Sequence, residues 1–528
     1  MKKFHTPSFL SKRIYLFALL FLLVFAKQAN SQEIYFDSKG TDFWLTFLPN
    51  YHNYKYSGDP SLKYGDSLYI FITSDEPTSG KITYTDQSLN TRVQNFTITN
   101  PNVIYIFKVS YFFYELLGFN DSSNSFERNQ NEVVAKQSFH IESEKEITVY
   151  AHSQAVMTSD AFLVLPTDVL GNDYFALTYN SDGSTDFNNV SLSSTPSQFA
   201  VVATEDETEV QITPSAPTYS NNLNPQNVRL SKGDVYLVQA KITSNNLNGD
   251  LTGSQIKSNK PIAVFAGQQR ATVPIKVFNE NASRDFLVSQ IPPVKTWGKN
   301  AFLVPYFQEP NTTTRGDDLY RILAAYENTE VFINDVKIGE LDRGGFFQGE
   351  LTEPAKVTSN NPILVAQFKK TAGDGGNQNL SDPFMMMIPP VEQFMKSYRF
   401  INIQAWEEGN IVYRNQYLTL ISPNTSTNNI TLDGTNINTS VFRPIPSSNY
   451  SYANIKVSDG IHNISAKEEV GIYIYGYGYA NSYGYVGGMS FLPMDFTPPE
   501  IAYKINCFEL EGFVYDSTFN DTGIKEIE

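Results

Sequence analysis

The chain has 528 residues, a formal net charge of −16 and a single cysteine, Cys507. Phosphate binding needs clustered Lys and Arg, so an acidic chain without a basic stripe excludes nucleic acid as a partner. One cysteine excludes a disulfide framework, so any core must be built from the 41% hydrophobic and 14% aromatic residues.

At the N-terminus, Lys2, Lys3, Lys12 and Arg13 precede an apolar run from Ile14 to Ala26. That run is too short for a bilayer, which needs roughly 20 residues, but it suits the apolar centre of an export signal. Ala29-Asn30-Ser31 offers small residues at the cleavage positions, so residues 1–31 are expected to be removed. The mature chain is then exported and not membrane-spanning, with secretion or the cell surface as its destination. An exported chain of this size without disulfides reads as bacterial.

From residue 33 onward three motifs recur in fixed order. The first is an apolar strand, a polar turn and a second strand: Tyr69 to Tyr84, Phe199 to Ile212, Ile322 to Ile333 and Tyr417 to Leu432. Alternating β-branched residues around Asp, Asn, Glu and Thr predict a hairpin. The second motif runs Ile141 to Ala151, Ile256 to Ala266, Val357 to Ala366 and Ile464 to Ile474. The third closes each unit at Pro166, Pro292, Pro389 and Pro493. The expected organisation is therefore four β-rich units, 33–170, 171–297, 298–394 and 395–495. The fold class is all-β, with tandem β-sandwich-like units or a closed ring of four large blades as the two arrangements.

Beyond Pro493, Thr497-Pro498-Pro499 reads as a linker. Residues 496–528 then read as the beginning of an immunoglobulin-like β module, with strands expected near Ile501, Leu510 and Ile524. About 30 residues are too few for such a module, so the native product is expected to continue past Glu528, with further β modules and an anchoring element.

The stretch Gly249-Asp250-Leu251-Thr252-Gly253-Ser254, the strand Pro261–Gly267, and Arg284-Asp285 leading through Pro292-Pro293 to Trp297-Gly298 together resemble the IgG Fc-binding protein family, over most of residues 40–495. The resemblance implies an extracellular interaction protein, found in animal mucus and in large bacterial surface proteins, and brings no catalytic residues with it. In the animal pattern cysteines flank the loop before the Pro-Pro stretch. Here Gln268, Gln269 and Asp285 stand in that region, which makes this chain an interaction module of unstated ligand.

Motifs for chemistry are sparse. His52, His140, His152 and His462 are far apart and in no zinc-like spacing, and no nucleophile elbow or phosphate loop is present. No catalytic residue, metal site or cofactor is expected. The Asp182–Asp186 and Asp374–Asn377 stretches read as polar turns rather than calcium loops. Two features suggest ligand contact. Tyr475, Tyr477, Tyr479 and Tyr483 alternate with glycine and would line one face of a strand, either to stack on a ligand or to pack against a neighbouring unit. The connections 152–160, 267–285, 369–382 and the Tyr/Gly stretch itself vary between units, and Arg270, Lys369 and Lys370 place positive charge on them. The expected function is adhesion to, or binding of, an extracellular protein or glycan, with a glycan-active enzyme or a passive stalk as the alternatives.

Overall fold

The computed structural model describes residues 36–52, 66–118, 130–155, 158–183, 194–243, 245–275, 283–307, 318–371, 382–407, 410–492 and 494, and the backbone of Glu500–Ile505 and Leu510–Tyr515. The export signal and residues 374–377 lie outside them. Among the described residues, no helix is long and apolar enough to cross a membrane.

One long strand organises each repeat: Phe139–Ala155, Gln255–Ala271, Ala355–Lys369 and Gly460–Gly478. Each carries the second motif, and the polar middle of that motif is a bend. Register shifts interrupt the ladders beside Glu142–Ile147, Lys257–Ile262, Thr358–Ile363 and Ser465–Val470. Pro261 and Pro362, in two of these bends, give no N–H to a ladder, as suits a bulge. Before the bend burial alternates; after it, in Ile147–Ala155 for example, every residue is buried. That is the pattern of a strand covered on both faces.

The two halves of each long strand recruit different partners. In the first unit the sheet order is Thr91–Ile98, Thr78–Thr85, long strand, Ser67–Thr73, Tyr105–Val109, with Gly40–Leu45 and Thr158–Val164 also on the long strand. The other three units repeat this order. The expected hairpins are thereby corrected. Ser67–Thr73 and Thr78–Thr85 do not pair with each other but sit on opposite sides of the long strand. Local alternation gave the strands, whereas the partner in this unit lies 55 or more residues away (Tyr84 on Phe139 at the nearest).

The apolar clusters run between units as well as inside them. Phe162 meets Phe265 with ring centroids 5.5 Å apart, Tyr179 meets Phe368 at 5.1 Å, Tyr306 meets Tyr475 at 5.0 Å, and Tyr485 meets Tyr150 at 4.8 Å. These contacts run from unit one to two, two to three, three to four and four back to one. The final strands of the units, Thr158–Val164, Asp285–Ile291, Met385–Ile388 and Asn481–Val486, pack side by side in the same cyclic order. Of the two arrangements expected, the closed ring of blades describes how the curled sheets are placed. The ring closes without a covalent link: Phe491 N donates to Phe36 O at 2.7 Å, and Asp37 bridges Ser490. A further strand, Val134–Ala135, leaves the first unit to extend the sheet of the second at Val235–Tyr236.

Each of the first three units ends in a single turn whose N-terminal cap is Pro166, Pro293 or Pro390, one residue beyond the expected Pro292 and Pro389. Pro493 lies outside the described residues. Glu500–Ile505 and Leu510–Tyr515 form an antiparallel pair.

Candidate functional site: the axial mouth of the ring

The four inner strands bring equivalent backbone groups to the axis. The N–H groups of Ala161, Val288, Met385 and Gly484, one from each unit, all donate to the carboxylate of Asp160, at 2.8, 3.1, 3.2 and 3.3 Å. Asp160 is wholly buried. Burial pushes its carboxyl well above the usual range, and the four amide donors oppose that shift. One side chain thus satisfies a backbone donor of every blade.

Three residues before these N–H groups stand Thr158, Asp285, Asp382 and Asn481, a second ring where the four variable connections end. These connections are tied in a cycle. Ser159 N donates to Asp285 Oδ1, and Ser283 Oγ donates to Asp382 Oδ2 at 2.5 Å. Ser482 Oγ donates to the Asp382 carbonyl, and Ser159 Oγ donates to Ser482 O at 3.1 Å. The described ends of the four connections therefore meet at one mouth of the ring. Beside it, His152 Nε2 lies 2.6 Å from the Tyr413 hydroxyl, which donates to Ser159 Oγ at 2.9 Å. Burial lowers the His152 pKa to about 3, so this imidazole is neutral.

The residues singled out from sequence divide sharply. Tyr475, Tyr477 and Tyr483 are core side chains, at most 1% exposed. The Tyr475 hydroxyl accepts from Phe307 N at 3.0 Å, and Tyr483 donates to Gln416 Oε1 at 2.5 Å. Stacking of a ligand on these three is corrected to core packing, of Tyr475 and Tyr477 against Phe384 of the third unit and of Tyr483 against Tyr413 of its own. The alternating glycines serve that packing: a Cβ at Gly476 would lie 2.4 Å from Tyr483, and one at Gly478 would lie 2.1 Å from the Val412 carbonyl. Tyr479 alone of the four projects, 65% exposed, from the turn that feeds Asn481. Arg270 reaches the mouth, its guanidinium 4.5 Å from the Tyr51 ring. Lys369 is buried on Asp318 at 3.2 Å and Lys370 is buried near Glu350 at 3.4 Å, so neither offers a free surface charge. Asp182, read as a turn residue, is buried against Arg284 at 3.4 Å.

The histidines outside the mouth are hydrogen-bonded to carboxylates. His52 lies between Asp66 at 2.8 Å and Glu115 at 3.1 Å, and their charges raise it to about 9 against the opposing effect of burial. His462 bonds Asp433 at 2.7 Å. His140 stacks on Trp44 and bonds Asp42 at 2.6 Å, with Glu142 at 3.6 Å held in turn by Lys81. Asp42, His140 and Glu142 are near enough to share an ion, but these pairings already account for the group.

Sequence reasoning missed Asp160, Asp382 and Asn481. A signal was present: an Asp stands at or near the start of three third motifs, as Ser159-Asp160-Ala161-Phe162, Arg284-Asp285-Phe286-Leu287 and Ser381-Asp382-Pro383-Phe384.

The two stretches that carried the family resemblance have structural work. Arg321, 1% exposed, comes from the third unit into the second. There it lies 2.8 Å from Asp250 Oδ2 and donates to Thr252 Oγ1 and the Thr178 carbonyl, both at 2.8 Å, with its guanidinium against Tyr179. Asp250-Leu251-Thr252 is thus an inter-blade clasp. Trp297 is buried at the unit exit, and its indole N–H donates to Pro292 O at 3.0 Å.

Comparison with known proteins agrees with these motifs. The family described as IgGFc binding protein matches residues 160–476, more than half of the chain. The human protein named IgGFc-binding protein is 24% identical over 360 residues, covering 65% of this chain and 6% of the human protein's length. A solved tetra-tandem repeat from the extending region of a large adhesion protein aligns over 79% of this chain and 92% of its own, at 11% identity and a TM-score of 0.10, too slight a likeness to bear on fold or function. The match across three of the four blades, through both the Arg321 clasp and the Trp297 exit, places this chain in the IgGFc binding protein family.

Proposed function

We propose that this chain is an extracellular, non-catalytic interaction module that presents the axial mouth of the ring to an extracellular protein. The observation that carries the reading is the hydrogen-bonded cycle through Ser159, Asp285, Ser283, Asp382 and Ser482, which ties together the described ends of four connections of different sequence. Variable loops on a fixed scaffold are where recognition usually resides. Tyr479 and the Arg270–Tyr51 pair give that face an aromatic anchor and a guanidinium, residue types enriched at protein interfaces. The name of the human relative makes immunoglobulin Fc the first partner to test. The cysteines of the animal pattern are missing from this loop region, so a different extracellular protein is also within the reading.

The test is binding of the purified exported chain to Fc, host-protein and glycan arrays, with Tyr479→Ala as the probe of the face. Saturable protein binding that weakens about tenfold or more in Tyr479→Ala, as for an interface anchor, is expected. Turnover of a glycan on the array, or protein binding that Tyr479→Ala leaves unchanged, would overturn the proposal.

A further inference from the structure

Below the mouth, the second ring of side chains is polar but incompletely paired. Asp285 Oδ1 accepts from Ser159 N and from Phe286 N, and Asp382 Oδ2 accepts from Ser283. Their other oxygens, Asp285 Oδ2 and Asp382 Oδ1, are buried with no hydrogen-bond partner. At the equivalent position in the fourth blade, Asn481 donates through Nδ2 to the Tyr479 carbonyl, and its Oδ1 is likewise buried and bare. The fourth member, Thr158, is already used: its hydroxyl accepts from Phe286 N and donates to Asn50. Three adjacent blades therefore each carry one bare oxygen at the equivalent position, three residues before the amide that binds Asp160.

Charge points the same way. Asp160, Asp285 and Asp382 are all wholly buried; the N–H groups bonded to Asp285 reach only its Oδ1, and Ser283 reaches only Oδ2 of Asp382. Asp160 has four amide donors and needs nothing more. Asp285 and Asp382 lack such a set, and among the described residues the cation acting on both is Arg270. Two carboxylates buried side by side are costly unless a proton or a cation stands between them. Bare carboxylate and amide oxygens are the ligand set of a hard ion.

We propose that Asp285, Asp382 and Asn481 together bind a hard divalent cation, with calcium as the probe. The ion would accept Asp285 Oδ2, Asp382 Oδ1 and Asn481 Oδ1 as ligands and complete its shell with water. It would pin the roots of three of the four connections, whatever partner the mouth receives, so the proposal does not depend on the identity of that partner.

The experiment is calcium titration of the EDTA-treated exported chain, read by calorimetry and by terbium luminescence, with melting temperature measured with and without calcium. One saturable site per chain and a melting temperature that rises with calcium are expected. Asp285→Asn/Asp382→Asn should lose that site while weak binding elsewhere on this acidic chain persists. No saturable site in the untreated sequence would overturn the proposal, as would an unchanged site in the double variant. If the two carboxylates instead share a proton, calcium leaves the melting temperature unmoved and Asp382→Asn alone is neutral or stabilising, which also overturns it. Should the double variant misfold, Asn481→Ala supplies the test, since it removes one ligand and no charge; an unchanged calcium affinity there counts against the site.

Discussion

His52 shows how a lone histidine in the sequence becomes a structural charge. Its ring stacks on Tyr111 at 3.5 Å and is held between two carboxylates, which raises its pKa from 6.5 to about 9. A raised folded-state pKa stabilises fully below 6.5, and the contribution fades as pH rises through 9. On the order of 3 kcal/mol of stability should therefore disappear between pH 6 and pH 10. Denaturant melts across that range check it, and His52→Gln should flatten the dependence. The tyrosine row separates at the same scale. Tyr477→Ala empties a fully buried site and should cost about 3–5 kcal/mol. Tyr479→Ala, two residues away and exposed, should stay within about 0.5 kcal/mol of wild type in the same melts. Sequence placed the four tyrosines on one strand, but that strand ends at Gly478, with Tyr479 in the turn and Tyr483 on the next strand, and alternation alone does not mark where a strand turns.

Among the elements, the clasp around Arg321 is the clearest link between a family motif and a physical role. Asp250→Ala leaves a guanidinium buried without its counter-charge, and loss of one member of a buried pair costs about 3–5 kcal/mol. The exposed Lys337–Glu330 pair, at 2.6 Å, is the control: Lys337→Ala should leave stability nearly unchanged. Chemical denaturation of both variants decides it, and equal effects would show that the clasp is no more than a surface pair. The motif was legible in the sequence as a resemblance. Its role was not, because Arg321 lies 71 positions after Asp250 and no periodicity connects them. The expected hairpins failed for the related reason that a polar turn between two strands fits an arch over a third strand as well as it fits a hairpin.

At the level of the whole molecule, the interfaces matter more than the units. Phe265, Phe368, Tyr475 and Tyr150 each pack against the preceding blade, so the core of every unit continues into its neighbours. Residues 36–494 should accordingly unfold in one cooperative transition by scanning calorimetry, not in four. A chain ending at Phe394 should uncover the faces of the first and third blades and lose cooperative folding; independent sandwiches would keep three intact transitions. The sequence by itself determined the strand content, the fourfold repeat and the family, since these rest on local alternation and recurring motifs that a single pass along the chain exposes. Tertiary structure alone decided that the units close into a ring, that three of the four tyrosines are core, and that Asp160, Asp285, Asp382 and Asn481 share one axis. The physical reason is the same in each case: the partners are backbone amides, bare oxygens and apolar faces contributed by other blades, and sequence spacing carries no record of which blade will stand beside which.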